Sequence, residues 1–250
     1  MEHGFNWMSL IPGVAGFEHS ATALLVVIAL LTWATVARRQ FATANDPVVP
    51  DGTITARNAV EMFVELFVVK VMKPVLGDNW RPYIPLYGTF FLFIFVSNLS
   101  GLLPGFGPPT SNFNVTLGLG ITSFVMYNYY GFQKHGKAYL KHFMGPIWWL
   151  AVLMVPLELI DNFVRPASLA LRLFGNMTGD HLVLDIFTRM TYLGIPVLFL
   201  MLGAFVSLIQ AFVFTLLSMV YLSLATAGHD HHADDHHAGE HGTDEQAAHH

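Results

Sequence analysis

The chain has 250 residues, 54% of them hydrophobic and only 12% charged, with a mean hydropathy of +0.51 and a formal net charge of −5. A soluble domain carries about twice that share of charge, so the composition points to a membrane protein and offers no basic surface for nucleic acid. The absence of cysteine excludes disulfides and thiol chemistry, while 21 Phe, 8 Tyr and 5 Trp suit lipid-facing surface and interfacial anchors.

Met1-Glu2-His3 is not a basic leader, and no cleavable signal is expected. Ala21 to Ala37 is a first apolar span stopped by Arg38 and Arg39, and the Pro- and Gly-broken stretch from Phe41 to Thr53 reads as a loop. From Thr55 to Lys73, Arg57, Glu61 and Glu65 recur at i+4 against Val60, Phe63, Val64, Phe67 and Val68, the pattern of an interfacial amphipathic helix. Tyr83 to Leu103 is a second span and Val115 to Phe132 a third, followed by a turn carrying Lys134, Lys137 and Lys141.

The last two apolar segments are long, running from Gly145 to about Phe187 and from Tyr192 to about Thr226. At ~1.5 Å per residue the first would reach about 60 Å, roughly twice the hydrocarbon thickness. Only the isolated Pro156 and Pro166 interrupt it, and single prolines kink membrane helices without ending them. The expectation is a tilted helical hairpin turning between Arg189 and Pro196. The fold class is therefore an all-α polytopic membrane protein. It has about five membrane-embedded segments and one interfacial helix in a single membrane domain, residues 1–227, followed by a tail, 228–250. With the N-terminus outside, Arg38, Arg39, Arg57, Lys70, Lys73, Arg81, Lys134, Lys137 and Lys141 all fall inside and only Arg189 outside. That is the positive-inside arrangement, with a cytoplasmic C-terminus.

Arg172 lies within the apolar run Pro166-Ala-Ser-Leu-Ala-Leu-Arg-Leu-Phe-Gly-Asn-Met177. A guanidinium stays charged, and at a bilayer centre it costs roughly 3 to more than 10 kcal/mol. With ~100° per residue and Arg172 at zero, Arg165 falls near 20°, Asp161 near −20°, Glu158 and Asn176 near 40°, Ser168 near −40° and Asp180 near 80°. Gly175 and Gly179 share this polar face, and small residues there let another backbone approach. His181 and Asp185 point the opposite way. On the last segment Gly203, Ser207, Gln210 and Tyr221 align similarly. Some of these have plainer readings: Asp161 and Arg165 can neutralise each other at i,i+4, and Asn176 and Gln210 can be interhelical hydrogen-bond glue. Glu158 is a headgroup anchor or part of an ion path, and His181 alone can be a packing histidine. Arg172 has no carboxylate within two turns in sequence, which points to a partner on another subunit.

At these residues the chain resembles subunit a of the F-type ATP synthase membrane sector. The resemblance rests on Leu171-Arg-Leu-Phe-Gly-Asn-Met177 with Pro166-x-Ser168-Leu169 before it, and on Gln210-Ala-Phe-x-Phe-x-x-Leu217 running on to Val220-Tyr-Leu-Ser223. Asn98-Leu-x-Gly-Leu-Leu-Pro104 and Asn114-Val-Thr-Leu117 support it. The resemblance implies a non-catalytic stator subunit in a bacterial inner membrane, partnered by a ring of c subunits, b-type peripheral-stalk subunits and the rest of the F1FO complex. It implies no cofactor. Arg172 would face the c-ring carboxylate between two offset half-channels; Asn176, Gln210 and Ser207 would line the route, with His181 as a relay, Asp180 tuning it and Glu158 on the inner path. His181 stands where some relatives have glutamate, Gly203 where some have histidine, and Asn112 replaces an acidic residue found near the outer loop of others. Whether the ion is H⁺ or Na⁺ stays open at this point.

Gly228 to His250 holds eight of the thirteen histidines with six carboxylates. It reads as a solvated tail unable to build a core, the alternative being a metal-binding tract around His231, His232, His236 and His237. Two rival functions remain. A secondary transporter using Arg172 as an anion site lacks the expected internal repeat, and a purely structural scaffold leaves the one-sided polar stripe unexplained.

Overall fold

The computed structural model describes residues 18–43, 56–77, 80–103, 106–136, 151–190 and 194–226. Within them the regular structure is entirely helical: α1 Glu18–Thr43, α2 Ala56–Phe63, a π-helical run Val64–Met72, α3 Lys73–Leu76, α4 Ile84–Ser100, α5 Phe113–His135, α6 Ala151–Met190 and α7 Gly194–Thr226. Glu18–Phe41, Arg81–Ser100 and Val197–Thr226 are long and apolar enough to cross a membrane. The chain is an all-α polytopic membrane protein, as expected.

Local chemistry sets the helix ends. Asn112 caps α5 by accepting from the Asn114 N–H at 2.9 Å, which gives this position a structural duty. Gly136 closes the helix at φ 54°, a left-handed conformation glycine adopts without strain, and donates to the Phe132 carbonyl at 2.7 Å. Pro82 and Pro85 stand in the first turns that lead into α4, where no donor is needed. Hydroxyls are silenced within their own helices: Thr32 donates to the Ile28 carbonyl, Thr89 to Pro85, Thr122 to Gly118 and Thr188 to Leu184. Such bonds let exposed threonines face hydrocarbon without an orphaned donor.

Two details depart from expectation in the amphipathic region. Its middle is π-helical, with the Lys73 N–H donating to the Val68 carbonyl five residues back. The wide register ends at Pro74, which has no N–H to continue it. Arg57, placed by its spacing on the polar face, is instead 2% exposed. Its Nε donates to Glu61 at 2.7 Å, its guanidinium lies 5.5 Å from the Phe41 ring centroid, and its backbone N–H bonds Gln40 Oε1 at 3.0 Å. The i,i+4 spacing was the signal of a pair, and tertiary contact with α1 buried that pair.

The described part of the Gly145–Phe187 segment lies in one helix, α6, 40 residues from Ala151 to Met190 with Pro156 and Pro166 inside it. It and α7 make the expected antiparallel hairpin. Phe187 stacks on Phe199 at 4.4 Å near the turn, Asn176 bonds Gln210 further along, and Arg165 lies 5.4 Å from the Tyr221 ring beyond that. α5 packs along α6 at glycine distance: a Cβ on Gly120 would lie 2.7 Å from the Pro166 carbonyl oxygen. The core draws on Phe67, Met72, Tyr87, Ile94, Leu169, Leu173, Phe214 and Met219. Polar groups within it are paired across helices, Ser123 with Ser218 at 2.9 Å, Tyr87 with the Ser218 carbonyl at 3.1 Å and Tyr127 with Asn162 at 2.5 Å.

The bundle has two chemically distinct ends. At one, Arg57 meets Gln40, Tyr83 packs edge-on to Tyr130 at 4.9 Å, and His135 bonds the Thr226 carbonyl at 3.1 Å. Arg38, Arg39, Arg81 and Lys134 belong to that end by their places in α1, α4 and α5. At the other, His19 bonds the Pro108 carbonyl.

Candidate functional site

Helix α6 offers two faces. Leu169, Ala170, Leu173 and Met177 are buried against the bundle, whereas Ser168, Arg172, Gly175 and Asn176 are exposed. The polar stripe read from the helical period is therefore an outward face, except at Asp180, whose carboxyl turns into the cavity it shares with His181. Among the described residues a Cβ built on Gly175 or Gly179 would meet no atom within 4 Å, so the close approach those glycines permit is not used by any of them. Asp161 and Arg165 do pair, at 2.5 Å, as the i,i+4 spacing allowed. Arg172 has no carboxylate within salt-bridge distance among the described residues.

Asn176 reaches from the rim of that face to α7, its Nδ2 donating to Gln210 Oε1 at 2.7 Å. Gln210 is 4% exposed and Ser207, one turn away on α7, 1%. The Nδ2-to-Oε1 bond leaves Gln210 Nε2 without a partner, and Ser207 Oγ, Thr178 Oγ1 and Asp180 Oδ2 are likewise buried and unpaired. Groups of this kind are costly unless something hydrogen-bonds them. Gln210, Ser207 and Asp180 lie where α6 and α7 face each other, while Ser97 Oγ and Asn98 Nδ2 on α4 are also buried and unpaired.

Asp180 and His181 line a half-open cavity of about 200 Å³ with Gly101, Leu102, Met177, Phe199 and Gly203. At ~30 Å³ per liquid water, such a space holds about six, and its carboxyl and imidazole supply the polar partners a buried water needs. His181 thus faces the bundle, away from Arg172, as its place on the helical wheel required. The two residues are nine apart and half a turn round.

Gly101, Pro108 and His19 escaped the sequence reading. Gly101 lay inside the quoted Asn98-to-Pro104 stretch, but nothing in one sequence tells that it meets His181, 80 positions on. The nearest signal was the polar Asn98, fully buried and accepting from Thr110 at 2.7 Å. The side chains of Glu158 and Arg189, and the tail histidines His231, His232, His236 and His237, lie outside the described residues. No cluster of three His, Asp or Glu positioned to hold a metal occurs among the described residues.

A profile of the family described as ATP synthase A chain matches residues 20–223. A protein of Bdellovibrio bacteriovorus, ATP synthase subunit a, is 42% identical over 91% of this chain and 99% of its own length. ATP synthase subunit a of Sorangium cellulosum is 40% identical over 87% of this chain and 85% of its own. The Geobacter sulfurreducens protein of the same name is 42% identical over 83% and 87% respectively.

Proposed function

The chain belongs to the ATP synthase A chain family and is a stator subunit of the ATP synthase membrane sector, and from that premise we propose that its α6/α7 hairpin carries protons to and from a rotating ring of c subunits. One observation carries the proposal: Arg172 sits on an outward face of α6, inside the apolar run Pro166 to Met177, beside glycines at which a Cβ would meet no atom within 4 Å among the described residues. A permanent cation in such a place needs an anion brought to it from outside.

Each c subunit supplies one carboxylate. Near Arg172 it stays ionised, because an opposite charge lowers a carboxyl pKa; in lipid it travels only when protonated, because a bare charge there is prohibitive. The ring must therefore load from one aqueous half-channel, turn, and discharge into the other, with Arg172 barring a direct leak between them. Each proton falling through 100 mV supplies ~2.3 kcal/mol, and rotation pools several of them for one ATP.

On the outer side the His181 imidazole, whose ring nitrogens can take up and give up a proton, relays protons from the cavity it shares with Asp180. Asn176, Ser207 and Gln210 then bridge toward Arg172. The imidazole favours H⁺ over Na⁺ as the ion. Glu158, nearer the start of α6, belongs to the inner access path. The basic end of the bundle faces the cytoplasm, as the positive-inside bias requires, with the membrane domain spanning residues 1–227 of a bacterial inner-membrane complex and the tail, 228–250, solvated. The c-ring and b-type stalk subunits are its partners in the membrane sector.

Purification in mild detergent tests the assembly. The chain should travel with an oligomer of small hairpin proteins, the stalk and the soluble ATPase subunits. Recovery of the chain alone, moving a solute in liposomes, would overturn the reading.

A further inference from the structure

Gly101 follows the last turn of α4 at φ −70° and ψ −15°, ordinary right-handed backbone that any residue adopts. A glycine is not needed there for its conformation; it is needed for space. A Cβ at this position would lie 2.6 Å from His181 Nε2 and 2.8 Å from both Cβ and Cγ of Pro108. The imidazole tip therefore occupies the place of the missing side chain.

The surroundings fix why the tip goes there. His181 comes from α6, and its neighbours in the cavity are Asp180, Met177 and Leu102, with Gly203 opposite on α7. On the far side the Pro108 ring closes the slot. The carbonyl of that proline accepts from Nδ1 of His19, on the first turn of α1, at 3.3 Å. Three segments distant in sequence thus build one notch for a single imidazole.

We propose that Gly101 is a positioning residue for His181: its absent side chain is the slot that holds the imidazole at the cavity, with Pro108, tied to His19, as the outer wall. This rests on the relay role given to His181 above. A methyl group at 101 would lie under 3 Å from both the imidazole and the Pro108 ring, so both must give way. The imidazole moves further, because it swings on free side-chain torsions while Pro108 is restricted by its own ring. Misplacement of a reacting group by ~1 Å costs on the order of a hundredfold in rate, so a loss of at least about tenfold in transport is expected.

The test uses the assembled ATP synthase in inverted membrane vesicles, with ATP-driven proton pumping normalised to complex present and electron cryo-microscopy of the purified complex. Gly101→Ala should pump at least about tenfold more slowly, with the His181 ring moved out of the slot. Gly101→Ala/His181→Asp should regain the rate of His181→Asp alone, since the shorter acid removes the closest clash and leaves only the adjustment at Pro108. Native pumping by Gly101→Ala, or an unmoved imidazole beside a shifted Pro108, would overturn the inference. If Gly101→Ala fails to assemble, Gly101→Ala/His181→Asp should assemble; its failure would make Pro108 the obstacle and equally overturn it. Native pumping by His181→Ala alongside loss in Arg172→Ala would remove the relay and this inference while leaving the stator reading intact. Native pumping by both would remove that reading itself.

Discussion

Replacing Arg172 with alanine separates the charge from the fold. The side chain is exposed, with no carboxylate in salt-bridge range among the described residues. Its truncation therefore removes no internal ion pair, and substitutions of that kind stay within about 0.5 kcal/mol. The subunit should fold and enter the complex at native levels. The effect on an arriving carboxylate is much larger. Unit charges ~4 Å apart at an effective dielectric of ~20 attract by about 4 kcal/mol, and at ~1.36 kcal/mol per pH unit this shifts the ionised-to-protonated ratio about a thousandfold. Without it the carboxylate passes the stator still protonated, and rotation no longer forces an ion out. ATP-driven acidification of inverted vesicles should vanish while ATP hydrolysis by the soluble sector continues. Arg172→Lys should retain part of the coupling, because an ammonium carries the charge but can lose its proton when desolvated. Retained pumping in Arg172→Ala would refute the electrostatic role. Loss of the subunit from the complex would show instead that the guanidinium is structural.

Two further substitutions probe the frame that holds the hairpin. Arg57→Ala strips a 2%-exposed guanidinium from Glu61 and from the Phe41 ring, and removal of one partner from a buried pair costs roughly 3–5 kcal/mol. Glu61 keeps 30% exposure, so the lower end, about 3 kcal/mol, is expected as a drop in the melting midpoint of the detergent-solubilised complex; an unchanged midpoint would deny the α1–α2 clamp. Gly120→Ala and Gly118→Ala make a matched pair on α5. The first drives a methyl to 2.7 Å from a backbone oxygen of α6, whereas the second meets nothing within 4 Å. Overpacking of the first kind costs about 1–3 kcal/mol, while alanine at the open site gains up to ~1 kcal/mol of helix propensity. Equal midpoints for the two would contradict the close α5–α6 approach.

What was legible in the sequence is what depends on one helix at a time. Period and length located the spans, and the polar stripe on α6 followed from the 100° step alone, so Arg172, Asn176 and His181 fell on their correct sides before any neighbour was known. The lone prolines were rightly passed over, since Pro156 and Pro166 remain inside one helix. What was illegible depends on contact between distant segments. Arg57 carries the same local pattern whether its face meets headgroups or Phe41, and only the return of α2 against α1 decides. The π-helical register of Val64–Met72 has no periodic signature short enough to separate from an α-helix over nine residues. Asn112 looked like a substitution at a channel mouth, and its observed bond is a helix cap. Gly101 reads as one small residue near the end of the Tyr83–Leu103 span until His181 is found against it.

The half-turn between Arg172 and His181 has a mechanistic consequence. A relay facing the bundle and a cation facing a partner cannot exchange a proton along one side of α6, so on the proposed reading the route must pass round the helix. The seam with α7 is where it can turn. Asn176 stands at the edge of the outward face and is held by Gln210, and the spare polar atoms of Ser207, Gln210 and Asp180 lie behind it. Unpaired polar atoms are a liability in an apolar core, and these three are accounted for if water or a passing proton carrier satisfies them in turn. The same geometry explains why the chain tolerates an exposed arginine. On the same proposed reading, with the proton path kept inside the fold until Asn176, the outer face needs only to present one fixed charge. A rotor sliding past then meets an electrostatic landmark and never an open channel.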